Sequence, residues 1–230
     1  VELCRHEKDV LGFYLSGHPL DDYRYEMRNF SPTPIAALSD LTKFVTTEGK
    51  SIGEVRFGGI VTDARVGISQ KNGDPYGIMT IEDYTGSYEL RLFRDDYQKF
   101  KAYFEKGLFL NCRGVVAQWT HVDKEGKKQT SPPRLRLNDM TIMSGLFEKY
   151  VGDVCFEIEL KYIDDAFVRK LEALAKKYKG NCPLIANIHD TAKNISLTMK
   201  SKDLRVSARE MLYELEKIDN VINVRFNEHH

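Results

Sequence analysis

An excess of charge of either sign is missing from this 230-residue sequence, in which 34 Lys and Arg balance 34 Asp and Glu. No overall field draws such a chain onto nucleic acid or an anionic membrane, so any binding of that kind must come from a local patch. Long apolar runs are missing too. None approaches the roughly 20 residues needed to cross a bilayer, and the opening Val1-Glu-Leu-Cys-Arg-His-Glu-Lys8 is unlike a secretory signal. The expectation is a soluble, cytoplasmic protein with no membrane partner. Cysteine is sparse: Cys4, Cys112, Cys155 and Cys182 lie far apart, with no Cys-x-x-Cys pair and no histidine at a metal spacing. They read as buried thiols of a reducing compartment, which excludes a disulfide framework and a zinc site.

Signatures of catalysis are equally lacking. The sequence has no Gly-Lys-Ser phosphate loop, no Gly-x-Ser-x-Gly elbow and no His-Glu-x-x-His. Asp pairs occur at Asp21/Asp22, Asp95/Asp96 and Asp164/Asp165, each beside the start of an expected helix. Adjacent carboxylates on a strand face opposite ways and chelate poorly, so helix capping is the better reading. These absences favour a binding module over an enzyme, with no cofactor and no metal. The chain opens on Val1 and closes on Glu228-His229-His230, which reads as an excised piece of something longer with the start of a purification tag at its end.

What the sequence does have is a hydrophobic content of 42%, enough to bury a core. Residues 1–50 read as a helical connecting segment: Leu3, Val10, Leu11, Tyr14 and Leu15 share one helix side, and Ser16-Gly17-His18-Pro19 breaks the helix with His18 as a turn residue. After Ser31-Pro32-Thr33-Pro34 a short helical stretch runs from Ile35 to Leu41. From Ile52 the period becomes strand-like, with runs at 55–69, 76–82 and 87–93. Lys71-Asn72-Gly73-Asp74 predicts a tight hairpin between the first two. Tyr97, Phe100, Phe104 and Leu108 then fall at helical steps before further strands at 109–119 and 134–143. Three strands, a helix and two strands is the order of a five-stranded Greek-key OB-fold barrel, expected over residues 51–146. A hinge-like stretch at 144–153 leads to a βαββαβ block in 147–230, expected as a ferredoxin-like domain with two helices on one face of an antiparallel sheet. The fold class is thus α+β and multidomain.

Charge is shared unevenly along the chain. Residues 55–145 carry 14 basic and 11 acidic groups, whereas 146–230 carry 14 of each. In an OB fold the ligand side is formed by strands two and three with the loops joining strands one to two and four to five, here 70–75 and 121–133. On that side the pattern places Lys71, Arg91, Lys124, Lys127, Lys128, Arg134 and Arg136, interleaved with the aromatics Tyr76, Phe93 and Trp119 and flanked by Tyr84 and His121. Cations along a phosphate path beside aromatic platforms for bases suit sequence-tolerant binding of single strands. The C-terminal block lacks such a bias. Its open sheet face, judged from Cys155, Ile158, Leu184, Ala186 and Ile188, is not wholly polar and reads as a surface for a protein partner.

The run Glu7-Lys-Asp-Val-Leu-Gly-Phe-Tyr-Leu-Ser-Gly-His-Pro-Leu20 resembles the segment that precedes the OB domain in the bacterial replicative DNA polymerase III alpha family. The resemblance continues through Gly59-Ile-Val-Thr-Asp-Ala-Arg65, Ile81-Glu-Asp-Tyr-Thr-Gly86 and the βαββαβ block. It implies a parent chain that is a DNA-directed DNA polymerase, a nucleotidyltransferase whose palm aspartates lie upstream of the segment in hand. It also implies an OB domain associated with the single-stranded DNA template and a C-terminal domain that docks the clamp-loader tau subunit, beside the rest of the polymerase chain. The family's sliding-clamp motif also belongs upstream; Gln98-Lys-Phe100 and Gln118-Trp-Thr120 have the wrong continuation for it. No family motif transfers individual contacts. Two other readings stay open: an anticodon-type RNA-binding OB module, since Ile81 to Gly86 fits those barrels also, and a pure protein-interaction scaffold.

Overall fold

A computed structural model describes residues 18–122 and 128–228, without the side chains of 120–129. The helical reading of the first 16 residues, most of the Glu7 motif, Cys4, Lys124 and Lys127 therefore lie outside the described residues. Contacts divide the chain into two compact units, 1–144 and 145–230.

His18 caps the 3-10 turn Pro19–Tyr23: the Leu20 N–H donates to its Nδ1, and its own N–H donates to Asp21 Oδ2. Helix α1 (Arg24–Phe30) follows directly. The stretch after Pro34 forms two 3-10 turns, Ile35–Ser39 and Leu41–Phe44, and Ile35 and Leu38 are buried in the core of the barrel that follows. Segment 18–44 is therefore packed into the barrel unit by its apolar residues, and each fully buried Ile or Leu contributes about 1.5–3 kcal/mol.

The first barrel strand, β1 (Glu54–Ile68), is long enough to serve two partners. Its first half pairs antiparallel with β4 (Phe109–Ala117) and its second half with β2 (Pro75–Glu82), with a register shift between Val61 and Asp63. Just before the shift Gly59 allows a close approach of β2: a Cβ at that position would run into the Glu82 carbonyl. Strand β3 (Ser87–Phe93) extends β2 and β7 (Arg134–Ile142) extends β4, giving the order β3-β2-β1-β4-β7. Phe57, Met79, Ile81, Leu90, Leu110, Cys112 and Met140 fill the interior.

Three local readings of this unit are corrected. The turn at 71–74 is not a two-residue hairpin, because Gly73 has φ +72° while Asn72 is not left-handed. Ser69 and Asp74 close a longer loop instead, and the Asn72 side chain bonds the Asp74 carboxylate. The helix seeded at Tyr97 is α2 (Arg94–Phe100) followed by a 3-10 turn to Tyr103, so Phe104 and Leu108 lie beyond it. Phe104 still packs against Tyr97, with ring centroids 5.3 Å apart, and that contact satisfies the apolar spacing without more helix. Finally, the loop after β4 holds a small hairpin, β5 (Thr120–Val122) with β6 (Lys128–Thr130).

In the second unit the stretch read as a hinge is ordered structure: a 3-10 turn to Gly145, helix α3 (Leu146–Tyr150), and the start of β8 (Val151–Glu159). Leu146 and Phe147 are buried, and Phe147 packs edge-on against Phe226 at 6.0 Å. Helix α4 (Asp165–Lys177) is capped by Asp164, whose carboxylate accepts from Phe167 N at 2.8 Å. Then come β9 (Lys179–Asp190), β10 (Ile195–Val206), helix α5 (Ala208–Leu215) and β11 (Val221–Glu228), so the βαββαβ order stands. The antiparallel, ferredoxin-like sheet does not. The order is β10-β9-β8-β11, and β8 pairs β9 in parallel. The crossover through α4 returns the chain directly beside β8, so the β9–β10 hairpin must turn outward and leave β10 at the edge. Val154, Phe156 and Ile158 face the helices, with Phe156 and Phe167 centroids 6.4 Å apart.

Candidate nucleic-acid interface

Alternation along β1, β2 and β3 decides which side chains leave the barrel. Register sets Gly67, Tyr76 and Phe93 in one row across the three strands, Arg65, Ile78 and Arg91 in the next, and Asp63, Thr80 and Glu89 in a third. Their strand neighbours Met79, Ile81, Leu90 and Leu92 point inward and are buried, so these rows form the outward face. Tyr76 and Phe93 have ring centroids 6.2 Å apart, and Phe93 is 54% exposed. Beside them lies a chain of charges: Arg65 Nε is 3.1 Å from Asp63 Oδ2, Arg65 Nη2 is 3.8 Å from Glu89 Oε2, and Arg91 Nε donates to Glu89 Oε1 at 2.7 Å.

The sheet ends at β3 and β7, and a groove of about 600 Å³ lies between them. Arg91 and Phe93 line it from β3, Arg134 and Arg136 from β7, and Trp119 from the connection just after β4. Trp119 is 50% exposed and is fixed by its backbone, donating to Ser131 Oγ at 3.1 Å while its carbonyl accepts from Ser131 N at 2.8 Å. The floor is apolar, with Leu90, Leu92, Leu135 and Leu137, and Tyr88, whose hydroxyl pKa is pushed up by burial. Arg134 and Arg136 have no ion-pair partner among the described residues and sit two apart on one strand, so both present to the same side. An apolar trough with exposed rings and free guanidinium groups can hold flat bases and the phosphates between them.

Five of the ten residues singled out from sequence, Arg91, Phe93, Trp119, Arg134 and Arg136, therefore meet in one groove. Tyr76 joins through its contact with Phe93. Lys71 stands apart, exposed in the β1–β2 loop, which is braced by an ion pair between Asp74 and Arg94. Lys128 opens β6 and its side chain is not described. Sequence reasoning missed Arg65, Glu89 and Asp63 as members of the face, and Leu41, Asp96 and Pro133 as groove lining. Period two along β1 put Arg65 and Asp63 on one side, but only the cross-strand register brings Glu89 between Arg65 and Arg91. Tyr84 is placed elsewhere: it stacks on His18 and donates to Asp21 Oδ1 at 3.1 Å.

In the second unit the open sheet face is mainly polar but not wholly so, since Ile185 and the exposed Ile222 of β11 share it with Cys155 and Glu157. Glu157 accepts from Asn223 and Arg225, its carboxyl held below its usual range mainly by the Asn223 bond, and Asn227 donates to Asp153. Thr198 donates to Asn187 and His189 bonds Ser196. A row of exposed apolar side chains also lies on the edge strand β10: Ile195, Leu197 and Met199 are each more than half exposed, on the helix-bearing side. With β10 at the edge of the sheet, its apolar half extends past the cover of α4. No group of three or more His, Cys, Asp or Glu able to hold a metal occurs among the described residues.

Geometry and family agree on the class of the barrel: residues 55–143 match the OB-fold nucleic acid binding domain. Residues 154–223 match the C-terminal domain of the DNA polymerase III alpha subunit. The DNA polymerase III subunit alpha of Borreliella burgdorferi is 33% identical over 52% of this chain and 9% of its own length. Those of Pseudomonas fluorescens and Escherichia coli K12 are each 27% identical, over 80% and 77% of this chain and 14% of their own length. The chain is similar in these stretches to DNA polymerase III alpha subunits, and it spans only about a tenth to a seventh of the length of these relatives. A solved mitochondrial single-stranded DNA binding protein, Rim1 from S. cerevisiae, is 16% identical over 39% of this chain and 91% of that chain, with a TM-score of 0.26. That likeness is too low to bear on function.

Proposed function

We propose that this chain is a non-catalytic binding and assembly module of a bacterial replicative DNA polymerase, in which the barrel holds single-stranded DNA and the C-terminal unit docks the clamp-loader tau subunit. The observation that carries the first half is the convergence of Arg134, Arg136, Arg91, Phe93 and Trp119 on one apolar groove between the two sheet ends. Guanidinium groups neutralise phosphates while rings stack on bases of any sequence, so the mode is sequence-tolerant. The groove takes a strand whose bases are unpaired; a duplex keeps its base faces stacked inside. The second half rests on the family of residues 154–223 and on the balanced charge of that unit, which offers little to a phosphate backbone. The module works in the cytoplasm with the rest of the polymerase chain and uses no cofactor.

Fluorescence anisotropy with a single-stranded DNA, the same sequence as RNA and the duplex tests the barrel. The expected order is single-stranded DNA above duplex. Binding of structured RNA above DNA supports the anticodon-type reading, and binding of none supports a scaffold. Tau binding should vanish when residues 145–230 are removed; a remaining unit that still binds tau overturns that docking site. Template-dependent nucleotide incorporation by the chain would overturn the non-catalytic part.

A further inference from the structure

Two of the cations on the outward face are not free to meet a phosphate. Glu89 lies two residues before Arg91 on β3, so both side chains leave the same side of the strand. Its Oε1 accepts from Arg91 Nε at 2.7 Å and lies 2.5 Å from Arg91 Nη2. Its other oxygen is 3.8 Å from Arg65 Nη2, although Arg65 belongs to β1 and β2 runs between them. Asp63 holds the other side of Arg65 at 3.1 Å. The four groups, Asp63, Arg65, Glu89 and Arg91, form an alternating strap on either side of Ile78 and Thr80 of β2, beside the Tyr76 and Phe93 rings. Among the described residues, Arg134 and Arg136 of β7 have no such partner.

We infer that Glu89 limits the affinity of the barrel for a strand by competing with nucleic-acid phosphate for Arg65 and Arg91. The inference rests on the proposed single-strand binding by the barrel. A strand entering from Arg134 and Arg136 meets free cations first. To extend across β3 it must displace the Glu89 carboxylate from both arginines, and it meets like-charge repulsion while Glu89 stays. All four side chains are more than a third exposed, so each pair is weak and the strap can open. Glu89 thus trades affinity for reversibility: it limits the number of phosphates neutralised at once, which suits a template that must move on. Asp63 acts on Arg65 alone and has the smaller effect.

Glu89→Gln keeps the shape and removes the charge. In the whole chain it should tighten single-stranded oligonucleotide binding by roughly three- to tenfold at low salt. It should also steepen the dependence of log affinity on log salt by about 0.7 for each arginine released. The gain must pass through the arginines, so Glu89→Gln should gain much less when made in an Arg91→Ala background, compared with Arg91→Ala alone, whereas a general loss of negative charge would give the same gain in both backgrounds. Thermal unfolding of each variant shows that the barrel remains folded. Unchanged or weaker binding by folded Glu89→Gln, or a gain that survives Arg91→Ala undiminished, overturns the role of Glu89 while wild-type binding still stands. Tight binding by Glu89→Gln where the wild type binds barely at all supports it. If neither binds, the single-strand reading falls with it.

Discussion

Tyr76 and Phe93 stand directly opposite one another on neighbouring antiparallel strands, with ring centroids 6.2 Å apart on the outward face of the barrel. Gly67 completes their row on β1, and a Cβ there would meet the Tyr76 hydroxyl at 2.9 Å, so Tyr76 lies down against that strand. Phe93 has the freer ring and lines the groove. Phe93→Ala should therefore weaken single-strand binding by about 1–3 kcal/mol, the worth of one stacked base, with little change in thermal stability. Anisotropy and a melting curve on the same sample check both halves; equal affinity with an intact fold would exclude Phe93 as a platform.

Asp83 fastens the Ile35 turn to the barrel. Its 6%-exposed carboxylate accepts from Ile35 N at 2.9 Å, Thr85 N at 2.7 Å, Thr85 Oγ1 at 2.6 Å and Gly86 N at 3.1 Å. Asp83→Ala leaves those donors without this acceptor and should cost about 2–4 kcal/mol, seen as a lowered urea midpoint. Asp83→Asn, which keeps one acceptor oxygen, should cost less than Asp83→Ala.

Tyr84 gives a pH signature. Its hydroxyl pKa is pushed up to about 12, first by burial and then by the hydrogen bond to Asp21. Because the folded value lies above the ordinary 10, the folded state holds the proton more tightly than the unfolded chain. The associated stability is complete below about pH 10 and is lost as pH rises through about 12. The ring is about half exposed, so the effect is modest. Melting temperature followed across that window should fall more for the wild type than for Tyr84→Phe, and parallel curves would contradict the assignment.

Buried thiols give a fourth test. Burial pushes the pKa of Cys112, Cys155 and Cys182 up, that of Cys155 to about 11 with help from Asp153. In a Cys4→Ser background, a thiol reagent at pH 8 should react slowly until denaturant is added. Fast reaction of the folded protein would show that one of these sites opens readily.

Much of this was readable from local pattern. Strand β3 was legible from Tyr88, Leu90 and Leu92 alternating with Glu89, Arg91 and Phe93, and that alternation also fixed which side Arg91 and Phe93 take. What local pattern lacks is the partner strand. Glu89 sits between Arg65 and Arg91 only once β1, β2 and β3 are in register, and the basic count that included Arg91 could not reveal its ion pair. The same gap explains the C-terminal sheet. A βαββαβ order is compatible with β9 beside β8 or one strand away, and nothing in Leu184, Ala186 or Ile188 distinguishes the two until Val154 pairs with Leu184. Leu146 and Phe147 fall within the hinge-like stretch of the sequence because a five-residue helix carries too little period to stand out.

The central claim is that phosphates bind in the groove between β3 and β7, and a salt titration of single-stranded oligonucleotide affinity tests it most directly. Wild type should bind at low salt and weaken linearly in log salt, and Arg134→Ala with Arg136→Ala should lower both the affinity and the slope, by about 0.7 for each phosphate no longer neutralised. Binding indifferent to salt, or a double variant whose affinity and slope match the wild type while its melting curve is unchanged, would contradict the account.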